Sequence, residues 1–163
     1  MKIIYYITNF ILLLWQLPQM ILGAILLLWY KVFGRVNAIR NMTVEVTEIQ
    51  DTVLVSDGFL EFKQDFEFTL VVLNYDNQRY SWGFSLGSFI FCTQKFYDNV
   101  QAKTLLAHEA GHSIQSLYLG WLYLLVIGLP SLLITGISSD MAKDCYFEQW
   151  ANVIANDIKI VNY

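Results

Sequence analysis

The sequence predicts an α+β fold preceded by an N-terminal membrane helix. Three observations lead there: an uncharged run from Ile3 to Tyr30, a central stretch of alternating β-branched and aromatic residues, and a helix-patterned segment that holds the chain's only two histidines. Hydrophobic residues make up 56% of the chain and charged residues 15%, more apolar than a water-soluble domain of ordinary composition. A lipid bilayer is therefore an expected partner. The net charge of −4 comes without any sizeable Lys/Arg cluster, so the electrostatic footprint that nucleic acid requires is missing and no nucleic-acid partner is expected.

The uncharged run of roughly 28 residues would extend about 42 Å as a helix, more than the hydrocarbon core needs. It lacks a small-residue cleavage site before Lys31 and is too long for a signal peptide. Gln16, Pro18 and Gln19 interrupt it, and proline predicts a kink or re-entrant bend there. Lys31, Arg35 and Arg40 follow the run while only Lys2 precedes it, which predicts that the remainder faces the cytoplasm. Residues 1–32 are thus read as a membrane segment and 40–163 as one domain.

From Met42 to Thr93 the pattern alternates, as in Thr43-Val44-Glu45-Val46-Thr47-Glu48-Ile49 and Phe66-Glu67-Phe68-Thr69-Leu70. This predicts a small antiparallel meander of three or four strands. Turn signals fall at Ser56-Asp57-Gly58 and Asn74-Tyr75-Asp76-Asn77, and the last strand covers about Trp82 to Thr93. Asp98 and Gln101 resemble a capping box and Gly120 a stop, so a helix is expected from about Asn99 to Leu119. A second uncharged stretch, Gly120 to Ser138, holds Gly128 and Pro130. After it, Ser139 or Asp140 is expected to cap a final helix running to about Ile158. Cys92 and Cys145 are too few for a disulfide framework and read as free thiols.

His108-Glu109-Ala110-Gly111-His112 fits HExxH. Residues four apart on a helix differ by about 40°, so both imidazoles point at one place, and Glu109 lies beside that face where it can take a proton from an activated water. Shuffling this composition would give the pattern roughly once in two thousand trials. Gly111 costs about 1 kcal/mol in a helix interior, a cost that close approach of a strand, a substrate or another helix would explain. Catalytic zinc usually takes three protein ligands, and no third histidine exists. Asp144, Glu148 and Asn152 form a polar stripe on the final helix, from which Glu148 is the expected third ligand, with Asp140, Asp144 and Cys145 as rivals. Asp144 or Asn152 would then be available to steady a histidine through its other nitrogen.

His108, Glu109 and His112, with the downstream Glu148-Gln149-Trp150-Ala151, resemble the zinc site of gluzincin-type metallopeptidases, in which a glutamate on a later helix is the third ligand. The longer pattern His-Glu-x-Gly-His-x-x-Gln-Ser, followed by Leu119-Gly120-Trp121-Leu122-Tyr123-Leu124-Leu125 and Ile127-Gly128-Leu129-Pro130-Ser131, resembles small zincin-like membrane proteins of bacteria and phages. The resemblance spans roughly residues 85–152. It implies a zincin-like domain with a sheet beside the metal helix, bound Zn2+, and hydrolysis of a peptide or protein substrate near the membrane. It also implies that Ser85 to Phe91 pairs with extended substrate. Tyr118, Tyr146 or backbone groups are unassigned candidates for stabilising an oxyanion.

Ligation by Glu148 carries a topological condition. If Gly120 to Ser138 crossed the bilayer once, Glu148 would emerge on the side opposite His112. The stretch is therefore expected to return as an apolar hairpin at about 120–138, the alternative being a core helix broken by Pro130. The function expected is that of a membrane-associated zinc metallopeptidase with Glu109 as general base. The other reading is a non-catalytic membrane scaffold or binding protein stabilised by zinc.

Overall fold

The computed structural model describes residues 11, 14–48, 62–74, 81–138, 141 and 143–163. The turn expected at Ser56-Asp57-Gly58, most of that at Asn74 to Asn77, and the cap at Ser139 or Asp140 lie outside them. The elements run α1 (Leu17–Val32), β1 (Val36–Glu48), β2 (Phe62–Leu73), β3 (Gly83–Leu86), β4 (Phe89–Thr93), α2 (Gln94–Tyr97), α3 (Ala102–Leu119), a π-helical turn (Leu124–Gly128), α4 (Leu129–Ile137), α5 (Tyr146–Asn156) and β5 (Ile158–Asn162). The fold is mixed α+β around a five-stranded sheet ordered β3-β4-β2-β1-β5.

The sheet departs from a simple antiparallel meander in two ways. The single strand expected over Trp82 to Thr93 is split at Gly87, whose φ of 59° suits a tight hairpin turn that a side chain would strain. The resulting β3 runs antiparallel to β4, and β4 then pairs with β2 in parallel. The final helix also stops at Asn156, and the chain returns as β5 against β1. The alternation Ile158-Lys159-Ile160 fits a strand with one face inward.

Period-two alternation sorts the strands onto two faces. Phe68, Leu70 and Val72 of β2, with Ile90 and Cys92 of β4, pack against Leu106, Ala110 and Ile114 of α3. Val71, Leu73 and Phe91 point the other way, towards Leu26, Leu27 and Tyr30 of α1. The metal-motif helix therefore lies on one face of the sheet and the N-terminal helix on the other.

Local signals explain most element ends. Thr93 caps α2, accepting from the Phe96 N–H at 3.3 Å. Asp98 closes α2 instead of opening α3, and its carboxylate accepts from Gln94 Nε2 at 2.9 Å; α3 starts at Ala102 without a side-chain cap. Gly120, at φ 55°, ends α3. Pro18 stands in the first turn of α1, where its missing N–H costs least, and the helical Leu14 and Trp15 are separated from α1 by a turn at Gln16, an interruption where the sequence predicts a bend. Pro130 lies inside a helical run that continues unbroken from Leu122 to Ile137, directly after its π-helical segment. Helix α5 packs against this run, with Phe147 beside Tyr123 and Ile127 and the Tyr146 hydroxyl donating to the Val126 carbonyl.

Among the described residues, no helix is long and apolar enough to cross a membrane. The described part of the uncharged N-terminal run is the 16-residue α1, about 24 Å long against the roughly 30 Å hydrocarbon core. The expected N-terminal spanning helix is thus not found among these elements.

Candidate metal centre

Helices α3 and α5 pack together and bring three side chains to one point. Leu106, Ala110 and Ile114 fix one face of α3 on the sheet, which turns His108 and His112 towards α5. The imidazole rings lie 4.8 Å apart at 86°. Glu148, in the first turn of α5, places Oε2 3.0 Å from His108 Nε2 and 3.4 Å from His112 Nε2. The three ligand atoms all lie within 4.8 Å of one another. Two metal–ligand bonds of about 2.0–2.1 Å at a tetrahedral angle would set their donor atoms roughly 3.3–3.5 Å apart. The donor set and its spacing therefore fit a small divalent ion.

The far nitrogens of both imidazoles are held. His112 Nδ1 lies 2.8 Å from Gln115 Oε1, while Gln115 Nε2 donates to the Phe147 carbonyl at 2.8 Å. A carbonyl only accepts, so the Gln115 amide has one orientation, and His112 must carry its proton on Nδ1. Nε2 is then the nitrogen turned to the cluster, donating to Glu148 when protonated and offering its lone pair to a metal ion when not. Asn152, one turn beyond Glu148, meets His108 Nδ1 with its oxygen at 2.8 Å. Outside the ligand trio, the Ser131 hydroxyl of α4 donates to Glu148 Oε1 at 3.3 Å.

Charge follows this geometry. Burial opposes ionisation of Glu148, but hydrogen bonds from His108 and His112 and their charge outweigh it, holding its carboxyl well below the usual carboxylate range. Burial alone would depress His108; the bond to Glu148, the Glu109 charge and the Asn152 contact lift it above the ordinary histidine value. Glu109 is buried with Oε2 unpartnered. Its burial raises the carboxyl pKa despite the two histidines, and the Glu148 charge adds to the rise. Its other oxygen would lie 3.2 Å from a Cβ at Gly83, so the edge strand β3 comes close to this carboxylate, and a side chain there would press on it.

The rival ligands stand elsewhere. Cys145 Sγ contacts the Met141 carbonyl, and the Asp144 carbonyl accepts from Gln149 Nε2; neither joins the cluster, and Asp140 lies outside the described residues. Cys92 is fully buried, and burial with the nearby Glu109 and Asp98 charges pushes its thiol up to about 12, so it stays protonated. Tyr118 is exposed beside Trp150, and the Tyr146 hydroxyl is committed to the Val126 carbonyl. Sequence reasoning missed Gln115, whose i+3 spacing from His112 was available as a signal. It also missed Tyr123, buried and hydrogen-bonded to Ser85 of β3, for which an apolar run gave no signal.

The arrangement defines a class of site: two imidazoles from one helix and a carboxylate from another, on an α+β scaffold and able to hold a metal ion. Compared with protein-family models, with curated proteins and with solved structures, the chain finds no match in any of the three.

Proposed function

We propose that the chain is a zinc-dependent hydrolase, acting on peptide bonds of a peptide or protein substrate at a membrane, on the side facing the cytoplasm. The single observation that supports this reading best is the convergence of His108 Nε2 and His112 Nε2 on Glu148 Oε2, at 3.0 and 3.4 Å. It matches the gluzincin-like ligand set, with a zincin-like domain as the corresponding fold. His108, His112 and Glu148 would hold the ion. Zinc in such a site supplies Lewis acidity and brings the pKa of water down to about 7.

The chain's own residues account for the remaining steps. Glu109, with its raised pKa, takes the proton from the attacking water and returns it to the leaving amine. Gln115 and Asn152 hold each imidazole in the tautomer that keeps Nε2 free. The edge strand β3, with Ser85, lies beside Glu109, where an extended peptide can pair with it. The test is zinc analysis of the purified full chain together with hydrolysis of a peptide library. One zinc per chain and cleavage lost in Glu109→Gln are expected, and a folded protein that takes up no zinc would sink the reading.

One observation favours a second reading. The ligands come from two separate helices, so zinc would also join α3 to α5 as a structural clasp in a non-catalytic scaffold. In that case chelation would unfold the domain, and Glu109→Gln would leave every functional readout unchanged.

A further inference from the structure

Helix α1 carries hydrocarbon on both sides. It turns Leu26, Leu27 and Tyr30 onto the sheet and buries the polar Gln19 and the small Gly23, yet Ile25, Leu28, Trp29 and Val32 are 57%, 62%, 58% and 73% exposed. Gln16 Nε2 donates to Ser116 Oγ at 2.8 Å, and Gln19 Nε2 donates to the Gly120 carbonyl. A helix packed for water turns its apolar stripe inward; polar groups inside and hydrocarbon outside is the arrangement expected where the solvent is lipid. Helix α4 shows the same bias from another part of the chain. None of its residues is buried, none is charged, and Leu132, Leu133 and Ile137 are 75%, 60% and 78% exposed.

The two segments meet at their starting ends. A Cβ at Gly120 would overlap the Trp15 indole, so the start of α1 touches the point from which the helical run to α4 departs, and Trp121 and Leu122 are exposed beside it. Leu17, Ile21 and Leu22 of α1 are exposed as well, and apolar side chains gathered on one helix mark an interaction surface.

We propose that the outward faces of α1 and α4 form one surface that docks on a lipid bilayer. Two features select lipid over a protein partner. Exposed Lys31 stands in the last turn of α1, placed to meet anionic headgroups. The sequence from Ile3 to Tyr30 carries no charged side chain, as a segment in contact with hydrocarbon requires. Among the described residues neither helix is long and apolar enough to cross, and the docking proposed is interfacial. This deepens the membrane part of the function proposed above and shares nothing with its chemistry. It sets Ser131, the partner of Glu148, on the docked helix, so the metal cluster sits next to the lipid surface.

Spin labels on the full chain provide the test, with Ile25→Cys, Leu132→Cys or Lys103→Cys in a Cys145→Ala background, on vesicles of phosphatidylcholine with and without phosphatidylglycerol. Labels at 25 and 132 should gain oxygen collisions and lose collisions with a water-soluble nickel reagent, while the label at 103 stays open to nickel. Leu132→Ser combined with Leu133→Ser should weaken vesicle partitioning roughly a hundredfold, with the circular dichroism spectrum unchanged. Zinc-free protein should dock equally, which separates this result from failure of the hydrolase reading. The proposal is overturned by absence of vesicle binding, by a label at 132 that stays open to nickel on bound protein, or by one shielded from both reagents with spin–spin broadening, the signature of a second copy.

Discussion

A Cβ placed on Gly111 would lie 2.6 Å from the Ala151 carbonyl oxygen: the helix bearing both histidines meets the helix bearing Glu148 backbone to backbone. Alanine at this position would gain about 1 kcal/mol of helix propensity and lose about 1–3 kcal/mol to overpacking. The obstacle is main chain and cannot rotate away, so α5 must shift and take Glu148 with it. Gly111→Ala is expected to lower both the melting temperature and the zinc affinity. An unchanged zinc titration would mean that the contact does not set the ligand geometry.

Removing any ligand should empty the site. His108→Ala, His112→Ala and Glu148→Gln are each expected to lose stoichiometric zinc, because two remaining donors leave a small ion under-coordinated. Metal analysis after dialysis reads this directly, with Asp144→Asn as the control that keeps its zinc, since Asp144 stands apart from the cluster.

Glu109→Gln separates function from stability. The native state holds this carboxyl above its ordinary pKa through burial, so ionising it at neutral pH costs stability that an amide does not. The variant should melt higher than the parent at pH 7, keep its zinc and lose hydrolysis. A variant that is less stable and equally active contradicts both the electrostatic and the catalytic assignment.

The residues behind the ligands should act through metal affinity. Gln115→Leu strips the His112 tautomer of its partner and also frees the Phe147 carbonyl, and Asn152→Leu does the first for His108. Each is expected to weaken zinc binding about 10–100-fold, measured by competition with a chromophoric chelator. An effect confined to thermal stability would reduce both residues to packing.

The metal-free protein should be most stable in mild acid. Glu148 is depressed below 4.5, so its contribution is present above that value and lost as pH falls through its folded pKa. His108 is raised above 6.5, so its contribution is present below that value and lost as pH rises through its folded pKa. The pair therefore stabilises most between about 4.5 and 6.5, and raised Glu109 adds to the loss on the alkaline side. Zinc competes with protons for the imidazoles, so loading should move the optimum upward. Urea unfolding with chelator and with zinc, across pH, checks both halves.

The sequence by itself determined what depends on local period. HExxH at helical spacing put two imidazoles on one face, alternation marked β1 and β2, Gly120 ended the metal helix, and the stripe of Glu148 and Asn152 pointed to the second ligand helix. Only the tertiary structure decided which groups meet across long separations. The parallel pairing of β2 with β4, the return of β5 to β1, the Ala151 backbone that requires Gly111, and the Gln115 bridge from His112 to the Phe147 carbonyl all join residues that no local pattern connects. Helix α1 shows the limit most clearly: its residues announce an apolar helix, but which side faces the protein is set by the sheet residues that Leu26, Leu27 and Tyr30 meet and by Ser116 and the Gly120 carbonyl, which Gln16 and Gln19 reach about a hundred positions away.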